Sequence, residues 1–243
     1  MSDRPSISVV VPFFNSERTL AACVDSLLAQ DDLAADCEIF VVDNGSADAS
    51  ASIAAGYSGI TVLSEARTGA YAARNTAIRH ASAPVIAFTD ADCVVDRDWG
   101  QTILDRMRDE TIAILLGHCR YPDSASFGLR LLQAYENAKL DYVLSRCDPA
   151  YHFGQGNNMA VRRSVFTELG PFEEWQRAGD TELVHRVAGQ RPDLRVLYDP
   201  AMRVTHLEFE RGRTRADRLR LYARTNARIE TFRELTVTQR LGI

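Results

Sequence analysis

The chain has 243 residues, 46% hydrophobic, 25% charged and 8% aromatic, with a formal net charge of -5. That much apolar side chain can offset the entropy of ordering a chain, which excludes a disordered, collagen-like or disulfide-scaffold protein. The acidic balance also excludes a general nucleic-acid binder, whose surface is basic.

Strand and helix signals alternate through the first hundred residues. Ile7 to Phe13 is a β-branched run, after which Asn15 or Ser16 can cap a helix through about Gln30. Glu38 to Val42 reads as a second strand and stops at Asp43-Asn44-Gly45-Ser46. A short helix from Asp48, a strand from Ile60 to Leu63 and a helix from Gly69 to Ala81 come next. Pro84 then punctuates the entry to a strand at Val85 to Thr89. Continuous apolar strands separated by helices predict a parallel sheet covered on both faces. Right-handed crossovers gather the strand ends along one edge, where such sheets bind ligands.

The second half is less regular. Trp99 to Arg108 has helical spacing, Ile112 to Gly117 reads as a strand, and Phe127 to Leu144 is helical again. A Gly/Asn-rich stretch from Tyr151 to Val161 precedes short helices near Arg163 to Leu169 and Asp180 to Ala188. Leu194 to Tyr198 and Met202 to Thr205 read as two strands. From Arg211 onward the pattern is helical, with Leu219, Tyr222, Asn226, Ile229 and Phe232 at three- or four-residue spacing. Between Arg203 and Arg240 ten arginines face five acidic residues. Such a basic amphipathic tail can pack on its own domain, meet an anionic lipid surface or form a homodimer contact.

Five cysteines, Cys23, Cys37, Cys93, Cys119 and Cys147, show no CxxC and no zinc spacing, which suits free thiols in a reducing cytosol. Met1-Ser2-Asp3-Arg4-Pro5 carries no signal-peptide pattern. The longest apolar stretch, Ile112 to Gly117, is far short of the roughly 20 residues of a spanning helix. The expectation is a cytoplasmic protein without a transmembrane segment, with peripheral contact at the inner membrane face left open by the tail.

The familiar nucleotide fingerprints are missing. No G-x-G-x-x-G follows the first strand and no G-x-x-x-x-G-K-[ST] occurs, which argues against a dinucleotide oxidoreductase or a P-loop NTPase. G-x-S-x-G and H-E-x-x-H are also absent. What remains are polar residues at strand ends. Asp43-Asn44-Gly45-Ser46 closes the second strand and Asp90-Ala91-Asp92 closes the fourth. Carboxylates two apart on a strand point to the same face, and a turn at Asp92 lets them converge on one ligand. Oxygen ligands of this kind suit Mg²⁺ or Mn²⁺, with a diphosphate completing the shell. Either Asp alone could simply cap a turn; their occurrence at two strand ends beside Arg74-Asn75 favours a site. Cys93 is read as packing, because a thiol is an unusual ligand for a hard cation.

Ser8-Val9-Val10-Val11-Pro12-Phe13-Phe14-Asn15, Ser26-Leu27-Leu28-Ala29-Gln30, Val41-Val42-Asp43-Asn44-Gly45-Ser46-Ala47-Asp48, Ala73-Arg74-Asn75 and Thr89-Asp90-Ala91-Asp92 together resemble the family 2 glycosyltransferases of the GT-A fold. The resemblance runs from about Ser6 to His206. It implies an α/β fold: a GT-A-like, mostly parallel, Rossmann-type sheet flanked by helices, with a C-terminal helical tail. The expected organisation is a single domain over residues 1–210, divided into a nucleotide-binding half (1–95) and an acceptor half (96–210), then the tail over 211–243. It also implies transfer of a sugar from a UDP, dTDP or GDP donor, with Mn²⁺ or Mg²⁺, to an acceptor hydroxyl that is lipid-linked or part of a growing glycan.

By the same resemblance, Pro12, Phe14 and Asn15 border the base and ribose, and Asp43 and Asn44 face the base. Asn44 stands where the family more often has a second acid. Arg74 lies near the diphosphate or braces the carboxylates, Asp90 contacts the ribose, and Asp92 holds the metal. Gly154 to Arg163 resembles the acceptor-side segment, with Gly156, Asn157 and Asn158 at its centre. Asp180 inherits the place of the catalytic base of an inverting transferase, although Gly179 replaces the usual preceding Glu; Asp there can equally cap a helix. Glu182 is the reserve candidate. His206 ends the last strand where relatives carry a metal- or diphosphate-reaching His. Trp175 offers a sugar platform or is a plain rim aromatic, and His152 is read as structural. A nucleotidylyltransferase is disfavoured, because no Gly-rich phosphate loop follows the first strand. A non-catalytic nucleotide-sugar-binding or interaction protein of the same fold is the alternative, given Asn44 and Gly179.

Overall fold

The computed structural model describes residues 6–30, 37–121, 127–147 and 151–207. The tail, 211–243, lies outside these residues. The first half runs β1 (Ile7–Phe13), α1 (Leu20–Leu28), β2 (Cys37–Asp43), α2 (Ser50–Ala55), β3 (Thr61–Ser64), α3 (Ala70–His80), β4 (Val85–Thr89) and β5 (Cys93–Val95). The second runs α4 (Trp99–Arg106), β6 (Ile112–Arg120), α5 (Phe127–Arg146), β7 (Asn158–Arg162), α6 (Arg163–Leu169), α7 (Gly179–Gln190) and β8 (Arg195–His206).

Among the described residues, all eight strands form one sheet in the order β3-β2-β1-β4-β7-β6-β8-β5. Strands β1 to β4 are parallel, as the uninterrupted apolar runs predict. Every residue of β1 is buried, because the sheet is covered on both faces. One face holds Leu20 and Val24 of α1 with Trp99 and Ile103 of α4. The other holds Tyr71 and Ala77 of α3, Phe166 of α6 and Leu183 and Val187 of α7. Each buried Val, Leu, Ile or Phe among them is worth about 1.5–3 kcal/mol.

Three features differ from the sequence reading. Strand β7 is antiparallel to both β4 and β6, so a mixed segment interrupts the parallel sheet. The two short strands expected near the end are one, β8. It stays paired to β6 through a register shift after Asp199, where Pro200 has no N–H to give. Helix α1 starts at Leu20 without a side-chain cap. Asn15 and Ser16 instead tie the β1–α1 loop to the β2–α2 loop: Ala47 N–H donates to Asn15 Oδ1 (2.8 Å) and Ser16 N–H to Ser50 Oγ (2.7 Å). Asn15 has φ 51°, a left-handed conformation that Asn tolerates well.

Candidate active site

The C-terminal ends of β1, β2 and β4 open on one edge. Pro12 is buried within β1, and Phe14, just past the strand, is 59% exposed. Phe13 pairs with Asp43, which brings Phe14 and Asn15 alongside the end of β2. Asp43 Oδ1 accepts Ser46 N–H at 2.9 Å, closing a tight turn. Asn44 is committed to its neighbours. Its amide donates to the carbonyls of Glu65 (2.9 Å) and Arg67 (2.8 Å), and its Oδ1 accepts Gly69 N–H (2.7 Å). It shapes the loop before α3.

Asp90, at the end of β4, meets Arg74 from α3. Arg74 is 4% exposed; its Nη2 donates to Asp90 Oδ1 at 2.5 Å and to the Gly156 carbonyl at 3.1 Å. A Cβ on residue 156 would stand 2.9 Å from that nitrogen, so any side chain there would push the guanidinium from its present position. Asp92 follows in the turn and leads into β5, whose Cys93 lies opposite His206 of β8. His206 Nε2 and Asp92 Oδ2 are 3.4 Å apart. An oxygen and an imidazole nitrogen so placed fit a divalent cation, and Asp90, tied to Arg74, is less free to join them.

Asp180 sits in the first turn of α7 and is 9% exposed. It does not cap the helix, whose N-cap is Ala178. Its Oδ1 accepts the Tyr71 hydroxyl (2.8 Å) and Thr181 N–H (2.8 Å), and its Oδ2 accepts Gly156 N–H (2.7 Å). Gly156 therefore touches both Arg74 and Asp180, which joins the β4 edge to the α7 carboxylate. Gly179 is explained by the same crowding: a Cβ there would lie 2.6 Å from the Glu173 carbonyl and 3.1 Å from the Tyr71 ring. Glu182 is held by Arg186 in a two-point ion pair, and burial pushes its carboxyl above the usual range.

On the acceptor side Asn157 is half-buried, its amide 3.3 Å from Cys119 Sγ. Asn158 is 0% exposed, which removes it from any surface that could meet an acceptor. Its Oδ1 accepts the Trp99 indole N–H (2.8 Å) and its Nδ2 donates to the carbonyls of His118 and Met202 (both 2.9 Å). It pins α4, β6 and β8 to β7. Trp175 is half-buried in the α6–α7 loop, which Asn75 clasps through both Phe172 backbone groups. His152 is buried, with Nε2 on the Cys147 carbonyl.

Sequence reasoning missed Tyr71, the partner of Asp180, which stands in no motif. It also missed the Glu65-Arg67-Glu174 ion network bridging the loop before α3 to the loop before α7. No helix among the described residues is long and apolar enough to cross a membrane.

The family described as "Glycosyl transferase family 2" matches residues 8–170. A Haloferax volcanii glycosyltransferase, AglE, is 28% identical over 178 residues, covering 70% of this chain and 57% of its own length. This chain thus spans about half the length of the curated relatives it matches. Among solved structures, the mannosyltransferase PcManGT of Pyrobaculum calidifontis, in complex with GDP-Man and Mn²⁺, aligns with a TM-score of 0.72. The alignment has 23% identity and covers 93% of this chain and 65% of that one. TarS of S. aureus with UDP-GlcNAc aligns at 0.69 with 17% identity, covering 87% and 61%. The architecture is the GT-A fold of these enzymes.

Proposed function

This chain belongs to glycosyl transferase family 2, and on that premise we propose that it transfers a sugar from a nucleoside diphosphate to an acceptor hydroxyl with inversion. The observation that carries the reading is the line of contacts from Asp90 through Arg74 to Gly156 and Asp180. It connects a strand edge suited to a nucleotide with a buried carboxylate suited to a proton.

On the donor side, the exposed Phe14 ring offers a face to a base, with Asn15 and Asp43 at its border. Asp90 is placed for the ribose hydroxyls, and Arg74 holds it there while adding positive charge near the phosphates. Asp92 and His206 would hold Mn²⁺ or Mg²⁺, whose charge would offset that of the departing diphosphate. The donor is of the UDP, dTDP or GDP type; two fold neighbours carry GDP-Man with Mn²⁺ and UDP-GlcNAc.

Asp180 is the base. Two hydrogen bonds fill Oδ1, and one on Oδ2 leaves a lone pair for the acceptor proton. As the acceptor oxygen bonds to the anomeric carbon, the bond to the diphosphate breaks and the hydroxyl proton passes to Asp180. The carboxylate is fixed beforehand by Tyr71, Thr181 and Gly156, so little reorganisation accompanies the step. The acceptor is a lipid-linked or growing glycan at the cytoplasmic face, approached past Gly156, Asn157 and Trp175.

Calorimetric titration with UDP-, dTDP- and GDP-sugars, with and without Mn²⁺, tests the donor reading. On the same preparations Asp180→Asn should cut transfer by about a hundred-fold or more while leaving donor affinity nearly unchanged. Retained turnover would remove Asp180 from the role. Donor binding without any turnover by the unaltered protein would favour a non-catalytic binder of nucleotide sugars.

A further inference from the structure

Cys93 has no part in the mechanism above, yet the fold sets its sulfur beside the two residues offered for the cation. Asp92 enters β5 from the turn, Cys93 follows it, and His206 stands opposite Cys93 in the antiparallel pair with β8. One donor atom from each of the three lies within 4.8 Å of the other two. His206 Nε2 is 3.4 Å from Asp92 Oδ2, and Cys93 Sγ is 3.8 Å from Asp92 Oδ1. A tetrahedral ion with bonds of about 2.0 Å to N or O and 2.3 Å to S spaces its ligands by about 3.5 Å. The His206–Asp92 separation is already close to that spacing, and Cys93 Sγ, whose distance runs to the other Asp92 oxygen, lies within the same 4.8 Å cluster.

The other donors nearby are engaged. Cys23 Sγ lies on the Asp90 carbonyl (3.4 Å), Asn157 donates to Cys119 Sγ (3.3 Å), and Asp90 is paired with Arg74. His206 Nδ1 is buried with no hydrogen-bond partner, so Asp92 is the polar neighbour that orients the ring.

We infer that Cys93 is a third protein donor at this centre, which makes the site one for a thiophilic divalent ion such as Zn²⁺, Co²⁺ or Cd²⁺ in preference to Mg²⁺. Sulfur and imidazole select borderline and soft ions, whereas Mg²⁺ demands an oxygen octahedron. On ligation the S–H bond is exchanged for a sulfur–metal bond and the proton leaves to solvent. The inference rests on the reading of Asp92 and His206 as cation ligands and adds the sulfur to it.

Co²⁺ added to the metal-free full chain is the probe, read by absorption. A thiolate-to-cobalt charge-transfer band in the near ultraviolet is expected. It should vanish in Cys93→Ser and persist in Cys23→Ser and Cys119→Ser. Mn²⁺ binding, followed by the loss of its free spin-resonance signal, should survive Cys93→Ser, which also shows that the variant is folded. Zn²⁺ should displace Mn²⁺ from the unaltered protein. It should do so more than about ten-fold less effectively from Cys93→Ser, since even outer-shell partners are worth 10- to 100-fold in metal affinity. Mn²⁺ binding with no cobalt–thiolate band, or a band that survives Cys93→Ser, overturns the inference and leaves the Asp92–His206 reading standing. Failure of both ions to bind overturns the two together.

Discussion

The Tyr71 hydroxyl donates to Asp180 Oδ1 at 2.8 Å, joining α3 to the first turn of α7 across 109 positions of sequence. That bond occupies one lone pair of the proposed base and leaves the other oxygen to the acceptor. A general base acts only when it is held in place, and this bond fixes the Asp180 carboxylate. Tyr71→Phe should therefore lower turnover by about ten-fold. Donor affinity should stay constant. A loss confined to stability, with turnover per folded molecule unchanged, would make Tyr71 a packing residue only.

Restoring the family's usual acid at residue 179 should harm this protein. In Gly179→Glu the new Cβ would press on the Glu173 carbonyl and the Tyr71 ring, which must both yield. Overpacking of this kind costs about 1–3 kcal/mol. Urea unfolding should show that loss and transfer should fall with it. Unchanged stability would mean that the α6–α7 loop has room the structure does not show.

Asn158 makes three buried hydrogen bonds. Asn158→Ala strands the Trp99 indole N–H and two carbonyls, each costing about 1–3 kcal/mol when left unpaired. We expect a loss of about 3 kcal/mol or more by denaturant titration, with no change in acceptor selectivity among molecules that remain folded. Altered selectivity without destabilisation would return Asn158 to the acceptor surface.

Glu65 carries a pH signature. The Arg67 guanidinium chiefly, helped by the Thr76 hydroxyl and the Arg67 amide, holds its carboxyl down at about 2. In an unfolded chain it titrates near 4.3, roughly the model-peptide value. The folded form is thus the stronger acid, and the stabilisation is complete above the unfolded value and lost as pH falls toward the folded one. Thermal melts between pH 5 and 2 (roughly the window those values set) should fall less steeply for Glu65→Gln than for the unaltered chain. Parallel curves would show that Arg67 gives Glu65 no preference for its charged form.

The sequence was most legible where burial on both faces left an uninterrupted apolar run. Ile7–Phe13 and Val85–Thr89 are such strands, and the turn residues that stop them carry the candidate chemistry. Strand β7 was not legible: Asn158–Arg162 (NMAVR) lies at the end of a Gly/Asn-rich stretch, and nothing in its composition marks a strand or says that it runs against its neighbours. Strand β5 has only Cys93–Val95 and is held by β8 at its far end, too short for any pattern to register. Asp199-Pro200 looked like a chain break between two strands. It is instead a bulge, with Asp199 accepting from Arg106 (2.5 Å) and from Ala201 N–H (2.8 Å). At the site, Asp90 and Asp92 could be picked out because two acids close one strand end beside the Asp43 turn, whereas Asp180 and His206 were reached only through the family resemblance. Tyr71 could not, since a tyrosine on a helix gives no sign of which distant carboxylate it will meet.

The inverted strand β7 bears on the birth of the molecule. On one side β4 pairs with β1, already made; on the other it pairs with β7, so that Thr89 meets Asn158. While the ribosome is still producing the intervening helices, β4 has a bare flank of buried-type residues, the kind of edge that recruits other chains. A truncated product ending near residue 95 would keep that flank for good, with Phe88 and Ile86 deprived of the Met159 and Val161 they pair with. The edge of the N-terminal half is thus covered by β7, a strand synthesised long after β4 itself.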